Sequence, residues 1–538
     1  MNNDLTQAGI SRRSFLTGAG MLGVLAGLGL TGCGGSNANS GSAAGSASGS
    51  DVAYRDELQV AMPAAPDGLD PHTTSSLATV DIICNVVEPL FGMNKDYEPK
   101  PVLAKSCKSS DDGLVYTIEL REGVKFHNGN ELTPDDVVAS MNRWLTVNDR
   151  AASLLPGATF AAAGDHEVTC TLTEPATDFL TILAAHSQYP GIFPADVINA
   201  AGDAGISEYI GTGAYSFAEW KQDQYIHLTR YEDYKPAEGK ASGYTGKVAA
   251  PTKDIYYQFV TDASTRVSGF ETGEYDIADE IPTENFHDFD GNDDVKLETH
   301  AAGVLTAFLN MNEGIFADED IRKCVLMAID CKAAALAAYG EEDLFQIDPN
   351  LASPDNAAWA TDAGKKYFNQ ADPKGAKKAL AKTKYAGETV KLLTTPDYKE
   401  MYNATVALQE QLEKAGFTAE VESYEFATFM DIRSSKPDQW DLFVASTNYK
   451  PIPAQSLSVS KAFYGLSDEK ALKLVSETRT AEDQKAAQKK WAECQERLYE
   501  IAVIEPLCHY IAITGLQSDV EGFELLDGAV VWNAKRPQ

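Results

Sequence analysis

Seventeen consecutive residues, Gly34 to Ser50, contain only Gly, Ser, Ala and Asn. A stretch of that composition cannot bury a core and behaves as a flexible tether with an r.m.s. span of roughly 20–25 Å. A folded body therefore begins near Asp51. About 490 residues remain beyond that point, more than one apolar core usually serves, so two or more domains are expected.

The residues ahead of the tether read as a targeting segment. Ser11-Arg12-Arg13-Ser14-Phe15-Leu16 is a twin-arginine export pattern, followed by the uncharged stretch Gly18 to Leu30 and by Leu30-Thr31-Gly32-Cys33. The apolar run is shorter than the ~20 residues of a spanning helix and reads as a signal region that is removed. Leu-Thr-Gly-Cys in this place resembles the bacterial lipobox, whose cysteine is lipidated and becomes the first mature residue. An ordinary signal peptide with an incidental cysteine is the alternative. The expectation is an extracytoplasmic protein held through Cys33 to the bacterial cell membrane, on its periplasmic or cell-surface side.

The net charge is −34, and without residues 1–33 the chain keeps 43 basic against 78 acidic side chains. Such a field repels phosphate backbones and anionic lipid heads, which argues against nucleic acid as a partner. Apart from Cys33 there are seven cysteines, with no C-x-x-C, too sparse for a disulfide scaffold. Cys324 and Cys331 lie in an apolar helical pattern and read as packing residues.

Val115 to Leu120 alternates as a half-buried strand, and Gly123 and Asn128-Gly129 supply turns after it. Thr133-Pro134-Asp135-Asp136 then reads as a helix start, with Val137, Val138, Met141, Trp144 and Leu145 on one apolar stripe. Further on, Thr389 to Leu393 is strand-like, Met401 to Ala415 helical and closed by Gly416, Phe417 to Val421 alternating, and Leu442 to Ala445 a short buried-type run. That order predicts a parallel sheet with its ligand crevice at strand carboxyl ends. Asp318 is expected to cap a helix carrying Ile321, Val325, Ala328 and Ile329. Thr480 with Asp483 is expected to start a long helix with Trp491, Cys494 and Leu498 on one face.

Enzymatic signatures are lacking. There is no H-E-x-x-H or G-x-S-x-G, and the eight histidines never fall at metal-ligand spacing. Ser458-Val459-Ser460-Lys461 spells S-x-x-K without the S-D-N or K-T-G that accompanies it in acyl enzymes. Adjacent carboxylates such as Asp135-Asp136 and Asp293-Asp294 are inevitable in so acidic a chain. No catalytic residue, metal site or cofactor is nominated.

A series of strings in fixed order identifies a family. These are Leu69-Asp70-Pro71-His72, Val87-Glu88-Pro89-Leu90-Phe91, Pro101-Val102-Leu103-Ala104, Asp112 to Thr117, Arg121 to Gly129, Leu132 to Val137, Ile210 to Phe217, and later Leu309-Asn310-Met311-Asn312 before Ile321-Arg322-Lys323. From about residue 57 to its end the chain resembles the family 5 solute-binding proteins of ABC importers, which include oligopeptide-, dipeptide- and nickel-binding proteins. The resemblance implies an α/β, periplasmic-binding-protein-like two-lobe clamp (type II, cluster C) with an extra inserted domain. Lobe I would comprise 51–95, 205–305 and 512–538, the inserted lobe II 96–204, and lobe III 306–511. Crossing strands near Leu305–Asn310 and Cys508–Ile513 would form the hinge, while Val124 to Gly129 and Ile210 to Tyr215 would serve packing and not touch ligand.

The implied function is capture of a solute and its delivery to the permease and ATPase subunits of an importer, by a monomer without enzymatic activity. The loop after Leu-Asp-Pro-His, here Ser75, Ser76 and Leu77, and the segment Ser446, Thr447, Asn448 and Tyr449 correspond to ligand-contacting positions. Peptide binders carry an aspartate in the second segment that pairs with the ligand's amino group, but nothing between Asp441 and Asp468 is acidic. A buried ammonium without a countercharge is costly. Either another carboxylate takes that role, or the cargo is a non-peptide solute such as a metal chelate or sugar. Lys450 suits an acidic group instead. A receptor or hydrolase uncoupled from transport is the remaining alternative.

Overall fold

The computed structural model describes residues 53–202 and 205–538. The export pair Arg12 and Arg13, Cys33 and the tether 34–50 lie outside the described residues.

Val115–Leu120 is a strand, as its alternation predicts. It lies in a four-stranded antiparallel sheet between Ala104–Ser109 and Glu167–Thr171, with Thr159–Ala162 at one edge. The helix Pro134–Val147 starts where its cap signals place it. The Asp136 carboxylate accepts from the Thr133 N–H at 2.8 Å and its hydroxyl at 2.7 Å, and its other oxygen from the Ala195 N–H at 2.8 Å. Val137, Met141 and Trp144 are fully buried, each contributing roughly 1.5–3 kcal/mol of burial.

The second half forms the predicted parallel unit. Thr389–Thr394 runs parallel to both Thr418–Ser423 and Leu442–Asn448, with the helix Lys399–Lys414 between the first two. Gly416 takes φ +91°, the left-handed region where a side chain is disfavoured. These strands belong to an 11-stranded sheet. Its order is Thr418–Ser423, Thr389–Thr394, Leu442–Asn448, Val295–Leu309, Ile504–Gln517, Ile277–Ala278, Glu57–Met62, Asp254–Phe259, Tyr225–Arg230 and Tyr215–Lys221, with Phe345–Gln346 pairing separately onto Ile504–Gln517.

The two long strands Val295–Leu309 and Ile504–Gln517 pair antiparallel from Val295↔Gln517 to Phe308↔Ile504, with the register shifting between Ala301 and Gly303. Such a bulge re-aims side chains locally, and here it falls beside the candidate site. A continuous apolar core runs under most of the molecule, and a smaller one surrounds Phe270, Phe289 and Ile513.

The shared sequence strings pack on one another. The His127 N–H donates to Gly211 O and its Nε2 to Gly213 O, each at 2.9 Å. A Cβ on Gly211 or Gly213 would sit 2.0 Å from Val86 O or 2.3 Å from Asn85 O, so only glycine permits that approach.

Asp318 caps its helix as expected, accepting from the Asp320 and Ile321 N–H groups. Two expectations need correction. Thr480 closes the preceding helix Glu469–Arg479, and Asp483 alone caps Gln484–Glu500. Cys324 and Cys331 lie on separate helices, because Asp330 caps a new one by accepting from the Ala333 N–H. Both thiols are buried and free, and no disulfide forms among the seven described cysteines.

Candidate functional site

Three strands deliver their carboxyl ends to one cavity of about 890 Å³. Glu57–Met62 supplies Met62, Pro63 and Ala64; Ile277–Ala278 leads into Asp279 and Glu280; Leu442–Asn448 ends in Asn448, Tyr449 and Lys450. The crossing strands add His300, Ala301 and Ala302 at the bulge, and Tyr510 and Ala512 opposite. The volume suits a small solute held by a few placed polar groups, at the place where a parallel sheet presents a crevice.

Ser75, Ser76, Leu77, Asn448 and Tyr449 all line this cavity. Leu77 opens the helix Leu77–Ile83 yet is 39% exposed, so its apolar side chain is available to a ligand. Asn448 Oδ1 accepts from the Tyr510 hydroxyl at 2.7 Å, which orients its amide NH2 group. The Tyr449 hydroxyl donates to His509 Nδ1, and His509 Nε2 donates to Asp348 O. Its hydroxyl is committed, and its ring remains as a wall.

Ser446 and Thr447 stay in the strand ladder and do not line the cavity. The Ser446 hydroxyl donates to Glu400 at 3.3 Å, and that of Thr447 to Val304 O at 3.4 Å. Ser458 to Lys461 forms turn and cap geometry, with Ser460 Oγ accepting from the Phe463 N–H. Among the described residues no three His, Cys, Asp or Glu side chains are grouped to hold a metal ion.

The cavity also holds charged groups that the sequence did not single out. Asp81, Asp279, Glu280 and Asp527 line it, drawn from three separate segments. Burial raises the Asp81 carboxyl, opposed by His186, whose Nε2 donates to it at 2.7 Å. Burial, then the charges of Asp81 and Glu280, push Asp279 up to about 7. Asp527 is raised by burial, with His186 opposing and Asp81 adding. Lys450 and Arg150 line the cavity as well, and burial and then the Arg150 charge lower the Lys450 ammonium. Four acids and two cations thus line the same cavity.

Only a pattern of carboxylates at strand ends could have flagged Asp279 and Glu280. Asp527 before Gly528 reads as a turn, Asp81 as an acid inside a short apolar helix, and Arg150 as a surface residue of Asp149–Leu154. No helix among the described residues is long and apolar enough to cross a membrane.

Residues 98–467 match the family described as bacterial extracellular solute-binding proteins, family 5 Middle. The chain is 27% identical over 422 residues to a probable peptide ABC transporter periplasmic-binding protein of Sinorhizobium fredii, covering 74% of this chain and 77% of that one. It is 23% identical over 494 residues to the dipeptide-binding protein DppE of Bacillus subtilis, covering 85% and 87%. The crystal structure of the ABC transporter substrate-binding protein CtaP of Listeria monocytogenes shares its fold with a TM-score of 0.74, at 21% identity over 87% of this chain and 96% of that one.

Proposed function

Because the chain belongs to the family 5 bacterial extracellular solute-binding proteins, which bind solutes and are not enzymes, we propose that its cargo is a peptide. The peptide is held in the 890 Å³ cavity and handed to the permease and ATPase subunits of an ABC importer. The observation that carries this reading is that acids, Asp81, Asp279, Glu280 and Asp527, and cations, Arg150 and Lys450, line one and the same cavity. A free peptide carries an ammonium and a carboxylate on one short molecule and matches both. The curated relatives named as peptide and dipeptide binders support it.

The ammonium is assigned to Asp279 and Asp527, which replace the acid missing between Asp441 and Asp468. Ser75 to Leu77, Asn448 and Tyr449 contact the peptide backbone and side chains. Residues 51–95, 205–305 and 512–538 form lobe I, 96–204 lobe II and 306–511 lobe III. The crossing strands near Leu305–Asn310 and Cys508–Ile513 act as the hinge across which the lobes close over cargo. The four-stranded sheet built wholly from residues 104–171 supports lobe II as a unit.

The mature protein is a monomer, exported through Arg12-Arg13 and anchored by a lipid on Cys33. Acyl chains add about 0.8 kcal/mol per buried methylene, and Cys33→Ser is expected to move the protein from the detergent to the aqueous phase.

Native mass spectrometry of the freshly purified protein tests the cargo, since the retained mass identifies its class. Thermal melting with tri-alanine and its N-acetylated form then tests the ammonium. A peptide at 100 times its Kd adds ~2.7 kcal/mol. Equal melting shifts with both forms refute the ammonium assignment, and a non-peptide mass refutes the peptide.

A further inference from the structure

Arg150 and Lys450 come from proposed lobes II and III and lie 300 positions apart in the chain, yet both line the same cavity. Both are half-buried. Several other cations with little solvent exposure pair with a carboxylate: Arg143 with Asp70, Arg497 with Asp468, Arg536 with Asp276. Neither Arg150 nor Lys450 has an ion pair or side-chain hydrogen bond among the described residues. A desolvated cation facing another cation is unfavourable unless an anion lies between them.

We propose that Arg150 and Lys450 form a two-sided anion clamp, so that the lobes close only over cargo whose anionic group bridges the two cations. The proposal rests on the reading of this cavity as the cargo cleft and deepens it. It specifies a carboxylate or phosphate on the cargo and couples its recognition to closure. Without it, closing the lobes brings like charges together in a poorly solvated space. With it, each cation gains a charge-assisted hydrogen bond, and one ligand group ties the lobes to each other. Arg150 suits a planar, two-oxygen acceptor and Lys450 a point contact. Neutral solutes of the right size are rejected because they leave both charges uncompensated.

Charge reversal tests the clamp without knowledge of the cargo. In the full mature protein without added peptide, Lys450→Glu supplies Arg150 with a partner across the cleft. Small-angle scattering should show a smaller radius of gyration than for Lys450→Gln, with a higher melting temperature. Arg150→Glu should behave alike against Arg150→Gln, and the double Arg150→Glu/Lys450→Glu variant should lose both gains. If each Glu variant matches its Gln counterpart in both measurements, the clamp is refuted.

The second arm incubates wild type with an equimolar random tripeptide mixture, with its carboxyl-amidated form, and with amidated tripeptides bearing one phosphoserine. Native mass spectrometry should show at least about tenfold more retention of the free acids than of the amides, falling to near parity in Arg150→Gln/Lys450→Gln. Retention of the phosphoserine amides alone assigns a phosphate to the clamp. Equal retention of free acids and plain amides overturns the clamp. Retention of none of the mixtures, with closure by Lys450→Glu, removes the peptide reading and leaves the clamp standing.

Discussion

Besides the Gln455–Gln188 hydrogen bond at 2.9 Å, residues 96–204 and residues 306–511 meet at two places built on opposite electrostatic rules. At one, Arg479 Nε donates to Asp178 at 3.0 Å, its guanidinium also donates to Leu154 O, and its carbonyl accepts from the Thr177 N–H at 2.7 Å. At the other, Arg150 and Lys450 line the same cavity, and burial and then the Arg150 charge lower the Lys450 ammonium. The short helix Asp149–Leu154 serves both, offering the Arg150 side chain to one and the Leu154 carbonyl to the other. The paired contact is complete in the protein itself, so it holds the two segments together regardless of cargo. The unpaired contact is completed only by a ligand, so it makes their approach conditional.

Breaking the complete contact should have the largest effect. Asp178 is nearly buried, its side chain only 5% exposed, and its carboxyl is raised by burial against the lowering influence of Arg479. Arg479→Ala leaves that group without its countercharge and should cost about 3–5 kcal/mol in denaturant unfolding. Adding Asp178→Asn should recover part of the loss. A cost below about 1 kcal/mol would mean that the contact gives no standing support and that the comparison fails.

A buried acid without a cation sharpens the point. Glu505 lies in the core with Oε1 accepting from the Asn369 N–H at 2.8 Å and from the Cys331 thiol at 3.4 Å, while burial pushes its carboxyl up to about 8. Its folded pKa lies above the unfolded value, so its stability contribution is full below about 4.5 and is lost as pH rises to about 8. Glu505→Gln mimics the protonated acid. It should match wild type at pH 4 and exceed it by on the order of 2–4 kcal/mol at pH 8, read from thermal melts across that range. Identical pH profiles would show that Glu505 is not held neutral.

In the cleft, Asp279 titrates near 7 and must ionise to receive an ammonium. Affinity for a free-amine peptide should therefore rise up to about tenfold between pH 6 and pH 8 and level off above. Asp279→Asn should flatten the rise in calorimetric titrations, and an unchanged slope in that variant would move the ammonium elsewhere. The smallest effect belongs to the unpaired cations. Without cargo, Lys450→Gln should be neutral or stabilise by less than about 1 kcal/mol. A clear destabilisation would mean that Lys450 has a structural partner, and the contrast with Arg479 would disappear.

Local order was legible wherever it rests on local chemistry. The strand Val115–Leu120, the cap at Thr133 to Asp136, the glycine at 416 and the parallel unit around Thr389–Thr394 follow from alternation, capping and turn residues within a few positions. The family was readable for a related reason. Strings such as Arg121 to Gly129 and Ile210 to Phe217 pack on each other through glycines that tolerate no side chain, which restrains their sequence. Helix boundaries were read less well at Thr480, a capping residue type three positions ahead of the true cap Asp483, and at Ile329, which follows the helix Glu319–Ala328 in extended conformation and is not part of it.

What only the tertiary structure decided is the electrostatics of the cleft. Asp81, Asp279, Asp527 and Arg150 occupy distant points of a chain with many other charges, and none carries a local mark. Sequence alone supplies the type and number of charges, and it marked Lys450 only through the lack of acids around it. Which charges meet depends on strand carboxyl ends brought together by an 11-stranded sheet whose neighbours are far apart in sequence. Charge interactions fall off over a few ångströms in space and take no account of sequence separation, so a pairing rule that decides cargo and closure becomes visible only once the chain is folded.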